Sequence, residues 1–385
     1  MFDFRMPASV RFGNGVLADI GAQAAALGLR KALLVCDPGI VKLGLVDRAL
    51  GALTSAGVDA AVFDAVIPEP PDTNVAAGLA AFREAGCDGL IGLGGGSSID
   101  VAKAVGAMAR NPGVIADYAV GGKPLAQRKA PVLAAPTTAG TGSEVTRNTI
   151  ITDTQRDVKL LIAHPYLIPE AALVDPALTM TMPPDLTMAT GIDALTHALE
   201  AYISVKATAM SDIFALEAIE LIAGNLRQAW ANGGNVAARE KMMLGSLMAG
   251  MAFGNASVAL VHGMARPIGA NFHVPHGLSN AVLLAECMQF TMIGAPERFA
   301  DIADAMGENT DGLSVMDAAQ LAVDALARLC DDVGVPPLCE CHVDAEKFKA
   351  LAPKMAGDAI ASGSPGNNPR KATAEEIVGL YLRCL

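Results

Sequence analysis

The chain has 385 residues, more than one compact core accommodates, and its length suits two domains. Hydrophobic residues make up 52% against 18% charged, the balance of a packed globular chain rather than a disordered one. The net charge of −12, with lysines and arginines scattered, argues against nucleic acid or an anionic membrane surface as partner.

The opening stretch, MFDFRMPASVRFGNG, has no basic segment followed by an apolar run and does not read as a signal peptide. KALLVCD (31–37) reads as a buried strand and 41–56 as a helix. DAAVFDAV (59–66) reads as a second strand, closed by IPEPPD, with a helix over 75–85. DGLIGLGGG (88–96) is a strand running into a glycine turn, followed by a helix over 98–110 and a further strand, APVLAAP (130–136). Strands that are apolar nearly throughout, alternating with helices, predict a parallel sheet covered on both faces.

Gly94, Gly95 and Gly96 stand between a strand and a helix expected to start near Ser97 and Ser98. Glycines let a phosphate approach the backbone, and the free N–H groups of a helix N-terminus face an anion. The dinucleotide fingerprint G-x-G-x-x-G fails, since Ile99 occupies its third position, and no Walker lysine supports ATP or GTP. A second turn, PTTAGTGSEVT (136–146), also follows a strand, so two such turns at strand carboxyl ends converge on one crevice. Asp37 ends its strand, where a carboxylate can bind the ribose hydroxyls of NAD and repel the extra phosphate of NADP. Equally, Asp37 can cap a helix opening at Pro38.

After LVDPALTMTMPPDL the strand signals stop, and helical periodicity marks 188–202, 211–231, 236–253, 296–306, 315–333 and 374–382. The expected division is an α/β dinucleotide-binding domain over 1–182 and an all-helical, metal-binding domain over 183–385. The uncharged run 242–265 is long enough to span a bilayer, but Asn255, His262, two serines and four glycines make it a buried helix of the helical domain. Seven cysteines without framework spacing suit the reducing cytoplasm, and LCECH (338–342) reads as a loop rather than a zinc site.

GIDALTHALEAY (191–202) sets Asp193 and His197 four apart, on one face of a helix whose Leu195, Ala198 and Leu199 enter a core. Burying such groups unpaired costs roughly 2–7 kcal/mol for a neutral polar group and more for a charge. Three of the six histidines, His262, His273 and His276, fall within HGMARPIGANFHVPHG, with His276 on a sharp turn between Pro275 and Gly277. With Asp193 and His197, His262 and His276 can supply three nitrogens and one carboxylate oxygen, a set suited to Fe²⁺ or Zn²⁺.

GGGSSIDVAKA, PTTAGTGSEVT, GIDALTHALEAY and HVPHGLSNAVLLAE, in that order, resemble the iron-containing (group III) alcohol dehydrogenases, from VRFGNGVL to SGSPGNNPRKATAEEIVGLY. The resemblance implies a Rossmann-like α/β domain with a parallel sheet plus an all-α C-terminal domain, the dehydroquinate synthase-like fold. It also implies a cleft between the domains and usually a homodimer or higher homo-oligomer. It maps the metal ligands onto Asp193, His197, His262 and His276. NAD falls on Asp37, Gly95, Gly96, Ser97, Asp100, Thr137, Thr138, Thr141, Asn148, Lys159 and Leu178, and Phe253 falls in the substrate pocket.

The implied reaction is metal-dependent hydride transfer between a small alcohol and NAD, in either direction, with His262, His273 and Arg266 as catalytic candidates. Many relatives carry a histidine where HGMARP has Arg266, which stays protonated and cannot serve as a base. A relay through water or the cofactor ribose, or His273 acting at the substrate, would then move the alcohol proton. Arg266 itself reads either as a structural salt bridge or as the partner of a substrate carboxylate. The second option makes a reductase of a hydroxy acid, keto acid or maleylacetate-like substrate the alternative function. A non-redox relative resembling dehydroquinate synthase is disfavoured by the Asp193/His197 motif. A non-catalytic nucleotide-binding protein would have no use for the metal set, and hydrolysis lacks a G-x-S-x-G elbow.

Overall fold

The computed structural model describes residues 1–156 and 158–385. It divides into an α/β unit, Arg5–Thr179, and a helical unit, Met180–Leu385 with Met1–Phe4.

The α/β unit carries strands β1 (Ser9–Phe12), β2 (Lys31–Val35), β3 (Asp59–Phe63), β4 (Gly89–Gly94), β5 (Val132–Pro136), β6 (Asn148–Asp153), β7 (Val158–Ala163) and β8 (Ala171–Val174). Between them lie α1 (Ile20–Ala26), α2 (Pro38–Lys42), α3 (Leu45–Ser55), α4 (Asp72–Glu84) and α5 (Gly96–Met108). Six strands form one parallel sheet in the order β1-β8-β5-β4-β2-β3. Successive residues of β2 serve opposite faces, Leu33 and Val35 in one core with Leu90 and Val132, Leu34 in the other with Ile91 and Leu133. Both faces being covered, the inner strands β4, β5 and β8 are buried throughout instead of alternating.

The helix expected over 41–56 is two helices, because Gly44 adopts φ 69° between α2 and α3, a conformation glycine enters without a steric penalty. The antiparallel pair β6–β7 had no sequence prediction. β6 alternates buried Thr149, Ile151 and Asp153 with more open neighbours, the pattern of a one-sided ribbon, and lacks the apolar run that marks the parallel strands.

The helical unit comprises α6 (Pro184–Ile203), α7 (Ala209–Ala231), α8 (Val236–Ala256), α9 (Leu260–Phe272), α10 (His276–Thr291), α11 (Pro296–Ala305), α12 (Val315–Asp332), α13 (Ala345–Ala361) and α14 (Ala374–Arg383). The N-terminal residues join it through Phe4, whose ring stacks on Phe214 at 5.4 Å. The uncharged run 242–265 is not one helix as expected. Ser257, at φ 69°, ends α8, and α9 leaves at 100°. Among the described residues no single helix is long and apolar enough to cross a membrane. The bend turns the start of α9, and His262 with it, toward α6 and Glu200, whose carboxylate accepts the Val261 N–H at 2.5 Å.

Candidate active site

In the α/β unit the chain passes from β2 to β3 on one side and then to β4 on the other, so strand order reverses between β2 and β4. Such a reversal opens a crevice at the strand carboxyl ends, where parallel sheets bind ligands. Asp37 lies at the end of β2 and the three glycines at the end of β4. Asp37 Oδ1 accepts the N–H groups of Gly39 and Ile40 at 2.7 and 3.3 Å and so caps α2. Its Oδ2 faces the glycine turn, only 3.4 Å from where a β-carbon on Gly94 would stand. Capping therefore occupies one oxygen of the carboxylate and leaves the other facing the glycine turn.

The turn is built to exclude side chains. A β-carbon on Gly94 would stand 2.6 Å from Ser98 Oγ, and one on Gly96 would stand 2.8 Å from Thr141 Cγ2. Thr138 lies 3.7 Å from the corresponding point on Gly95, and Thr137 N–H donates to the Gly94 carbonyl at 3.0 Å. The sequence-predicted Gly95, Gly96, Thr137, Thr138 and Thr141 thus meet at one turn, with Ser97 next along α5. No side chain caps α5, and the buried Ser98 Oγ has no protein partner. A cradle of glycines, uncapped N–H groups and an unused hydroxyl fits a pyrophosphate.

The remaining predicted nucleotide residues have other ties. Leu178 is buried in a turn pinned by Asp175, which accepts N–H groups from Gly15, Leu17 and Ala177. Lys159 Nζ pairs with Glu69 at 2.5 Å, and the Asn148 carbonyl accepts from Lys103 Nζ at 2.6 Å. Asp100 accepts the Ser143 hydroxyl and, at 2.8 Å, the Ile150 N–H, so its carboxylate braces the loop and β6. Lys103 and Ser98 escaped the sequence reading, although both fall on the helix that follows the glycines.

Glu144 lies buried in the same loop, and burial pushes its carboxyl up to about 7. The folded protein then holds a proton that the unfolded chain releases at lower pH, so stability falls as pH rises from about 4.5 to about 7. Glu144→Gln is expected to flatten this slope, worth on the order of 3 kcal/mol. Urea midpoints of wild type and variant at pH 5 and 7.5 measure it. Equal slopes in the two proteins would refute the assignment.

The helical unit gathers the metal-ligand candidates. Single ligand atoms of Asp193, His262 and His276 all lie within 4.8 Å of one another. Asp193 Oδ1 is 3.5 Å from His262 Nε2 and 3.8 Å from His276 Nε2. His197 flanks this group rather than completing it: Nδ1 is 4.0 Å from Asp193 Oδ2, and the ring stacks on His262 at 4.4 Å and on Phe253 at 4.0 Å. Phe253 is buried and closes the outer face of His197. His276 stands at the first position of α10 after Pro275. A side chain on Gly277 would collide with the Ala189 carbonyl, so glycine there lets α10 meet α6.

Two buried residues missed in the sequence complete the arrangement. Glu200, fully buried, accepts the N–H groups of Val261 and His262 and, at 2.7 Å, the His262 Nδ1–H. Asn280 donates to Asp193 Oδ1 at 2.6 Å. Spacing could have found both, since Glu200 lies seven residues after Asp193 on α6 and Asn280 four after His276 on α10. In the neutral ring that donates from Nδ1 to Glu200, His262 Nε2 carries a lone pair, and it faces a carboxylate oxygen with no hydrogen-bond partner. Two acceptors confronting each other in a buried space fit a cation between them. Burial opposes ionisation of Asp193, but His197, His276 and His262 hold its carboxyl far below the usual range. Burial likewise opposes a charge on His262, yet Asp193 and Glu200 raise its pKa.

The structure does not bring His273 into this group. It is exposed, at the C-terminal end of α9, with a left-handed backbone at φ 57°. Arg266 lies one turn beyond His262 on α9 and donates from Nη1 to Ser364 Oγ at 2.8 Å. The structural salt bridge considered for it is not formed with any described carboxylate.

Comparison with known proteins covers both units. Residues 7–176 match the family described as iron-containing alcohol dehydrogenase, and residues 187–385 match the C-terminal part of the Fe-containing alcohol dehydrogenase family. The chain is 46% identical over 384 residues to a 1,3-propanediol dehydrogenase of Citrobacter freundii, spanning 99% of this chain and 98% of that one. It is 41% identical over 372 residues to a lactaldehyde reductase of Escherichia coli (strain K12), spanning 96% of each. A crystal structure of a 1,3-propanediol oxidoreductase superposes with a TM-score of 0.97 at 44% identity over all of both chains.

Proposed function

The chain belongs to the iron-containing alcohol dehydrogenase family, and from that premise we propose how its own residues serve a metal-dependent, NAD-linked oxidoreductase of small alcohols and aldehydes. Asp193, His262 and His276, with His197 beside them, would hold the iron. Bound there, the ion supplies Lewis acidity toward an alcohol or carbonyl oxygen, and NAD supplies the hydride acceptor. Glu200 fixes the tautomer and angle of His262, and Asn280 orients Asp193, the roles that outer partners play around metal ligands. Phe253 keeps water from the His197 face.

In the α/β unit the Gly94–Gly96 turn and the N–H groups of α5 would hold the pyrophosphate, and Asp37 Oδ2 would take ribose hydroxyls. Its negative charge favours NAD over NADP. Arg266 keeps its proton at any working pH and does not act as base.

The observation that carries this reading is the buried convergence of His262 Nε2 and His276 Nε2 on Asp193 Oδ1, at 3.5 and 3.8 Å. The named relatives act on 1,3-propanediol and lactaldehyde, which points to short diols and hydroxyaldehydes as substrates. Zinc could occupy the same nitrogen and oxygen donors. A homodimer and a reducing, cytoplasmic location belong to the same proposal. The seven free cysteines accord with the latter, and sedimentation measures the former.

The test is to purify the protein anaerobically, measure bound metal, chelate it, restore Fe²⁺ or Zn²⁺, and screen alcohols and aldehydes by NADH absorbance. Chelation is expected to lower turnover by roughly 100-fold or more, with recovery on adding Fe²⁺. Full activity without metal would overturn the reading.

A further inference from the structure

Arg266 is half-buried on α9, with its charge poorly answered by the protein. Its hydrogen bond goes to the Ser364 hydroxyl, a neutral acceptor, which uses one of the five N–H groups of the guanidinium. Glu200 is the carboxylate whose charge reaches it among the described residues, and both Glu200 oxygens are committed to Val261 and His262. No described carboxylate comes within ion-pair distance. Burial of a cation without a counter-ion is costly, and a charge so placed marks a candidate binding position.

The position is also fixed. A side chain on Gly263 would collide with Pro365, so α9 lies tight against the turn that carries Ser364, and the Ser364 bond anchors one edge of the guanidinium. Its other N–H groups remain for a planar acceptor. Arg266 follows His262 by four residues, placing the two side chains on one face about 6 Å apart along the axis. A carboxylate two or three carbons from the reacting carbon spans that interval.

Resting on the oxidoreductase reading above, we propose that Arg266 determines specificity by binding the carboxylate of a short hydroxy acid or oxo acid, three or four carbons long, through its planar fork. In the oxidative direction the carbinol C–H bond breaks with its electron pair passing to NAD⁺, the hydroxyl proton is released, and a C=O bond forms. The carboxylate remains unchanged on Arg266.

The experiment compares 3-hydroxypropanoate with 1,3-propanediol, two substrates of matched length that differ in one charged end. Calorimetric binding and kcat/KM are measured on the iron-loaded wild type and on Arg266→Gln, Arg266→Lys and Ser364→Ala, with thermal melting to confirm folding. Wild type is expected to bind the acid more tightly than the diol. Arg266→Gln is expected to lower the acid-to-diol ratio roughly 10- to 100-fold. Arg266→Lys should restore part of that ratio. Ser364→Ala, which removes the anchoring bond and keeps the charge, should retain most of it.

A wild type that binds the acid no better than the diol, or an Arg266→Gln variant with an unchanged ratio, overturns the inference while leaving the oxidoreductase reading intact. Arginine-dependent binding of the acid with no NAD-linked turnover of either compound supports the inference and overturns that reading instead. Loss of both binding and turnover in the wild type overturns both.

Discussion

Replacing His262 with alanine is expected to lower kcat/KM for alcohol oxidation by roughly three orders of magnitude and to leave the purified protein short of metal. NADH affinity should stay within about twofold, because the glycine turns and Asp37 belong to the other unit. The expectation follows from the two ends of one ring. Nε2 faces Asp193 across 3.5 Å, and Nδ1 donates to Glu200 at 2.7 Å, so alanine removes a ligand and the partner of a buried carboxylate together. Glu200 keeps the backbone N–H groups of Val261 and position 262, which limits the stability loss to about 1–3 kcal/mol. Glu200→Gln leaves the imidazole present but less firmly held, and a 10- to 100-fold loss of metal affinity is expected. Elemental analysis, NADH fluorescence titration and steady-state kinetics separate these effects. A His262→Ala variant that still turned over after chelation would remove the metal from the account.

How far the sequence discloses this site depends on whether the chemistry is local. Asp193 and His197 are legible because four residues along a helix bring them onto one face, and the apolar neighbours then demand a partner for them. The glycines of 94–96 are legible because a buried strand stops at them and a helix starts. Glu200 and Asn280 obey the same helical spacing, but a glutamate or asparagine in a helix is ordinary until its burial is known. The break between α8 and α9 is harder. Ser257 adopts a positive φ, and nothing in GNASVAL announces it, so 242–265 reads as one continuous segment. His273 misleads for the opposite reason. It shares a short histidine-rich stretch with His262 and His276, yet α9 ends beneath it and leaves it exposed. The partner of Arg266, Ser364, lies 98 residues along the chain, and no local pattern connects them.

Lys103→Met is expected to destabilise the α/β unit by about 3–5 kcal/mol and to raise KM for NAD⁺ more than it lowers kcat. Lys103 is fully buried, and its Nζ donates to Ser143 Oγ at 2.9 Å, the Asn148 carbonyl at 2.6 Å and Thr146 Oγ1 at 3.4 Å. Burial brings its ammonium down to about 8, still protonated at neutral pH, with Asp100 3.7 Å away as countercharge. Methionine reproduces the stem of the side chain but none of the donors. The two hydroxyls lose a donor but can still donate, whereas the Asn148 carbonyl and the Asp100 carboxylate only accept and lose the ammonium outright.

The larger part of the loss is therefore the uncompensated Asp100, whose oxygens hold Ser143 and the Ile150 N–H and so tie the loop and β6 to the helix behind the glycine turn. Loosening that tie displaces Thr141 and Ser143 relative to Gly96, which is why the nucleotide should feel the change before the chemistry does. Asp100→Asn combined with Lys103→Met removes the stranded charge, and the double variant should recover at least half of the lost stability. Urea unfolding of the two single variants and the double variant completes the cycle. A double variant as unstable as the sum of its parts would mean that packing around the lysine stem, and not the ion pair, holds the loop against α5.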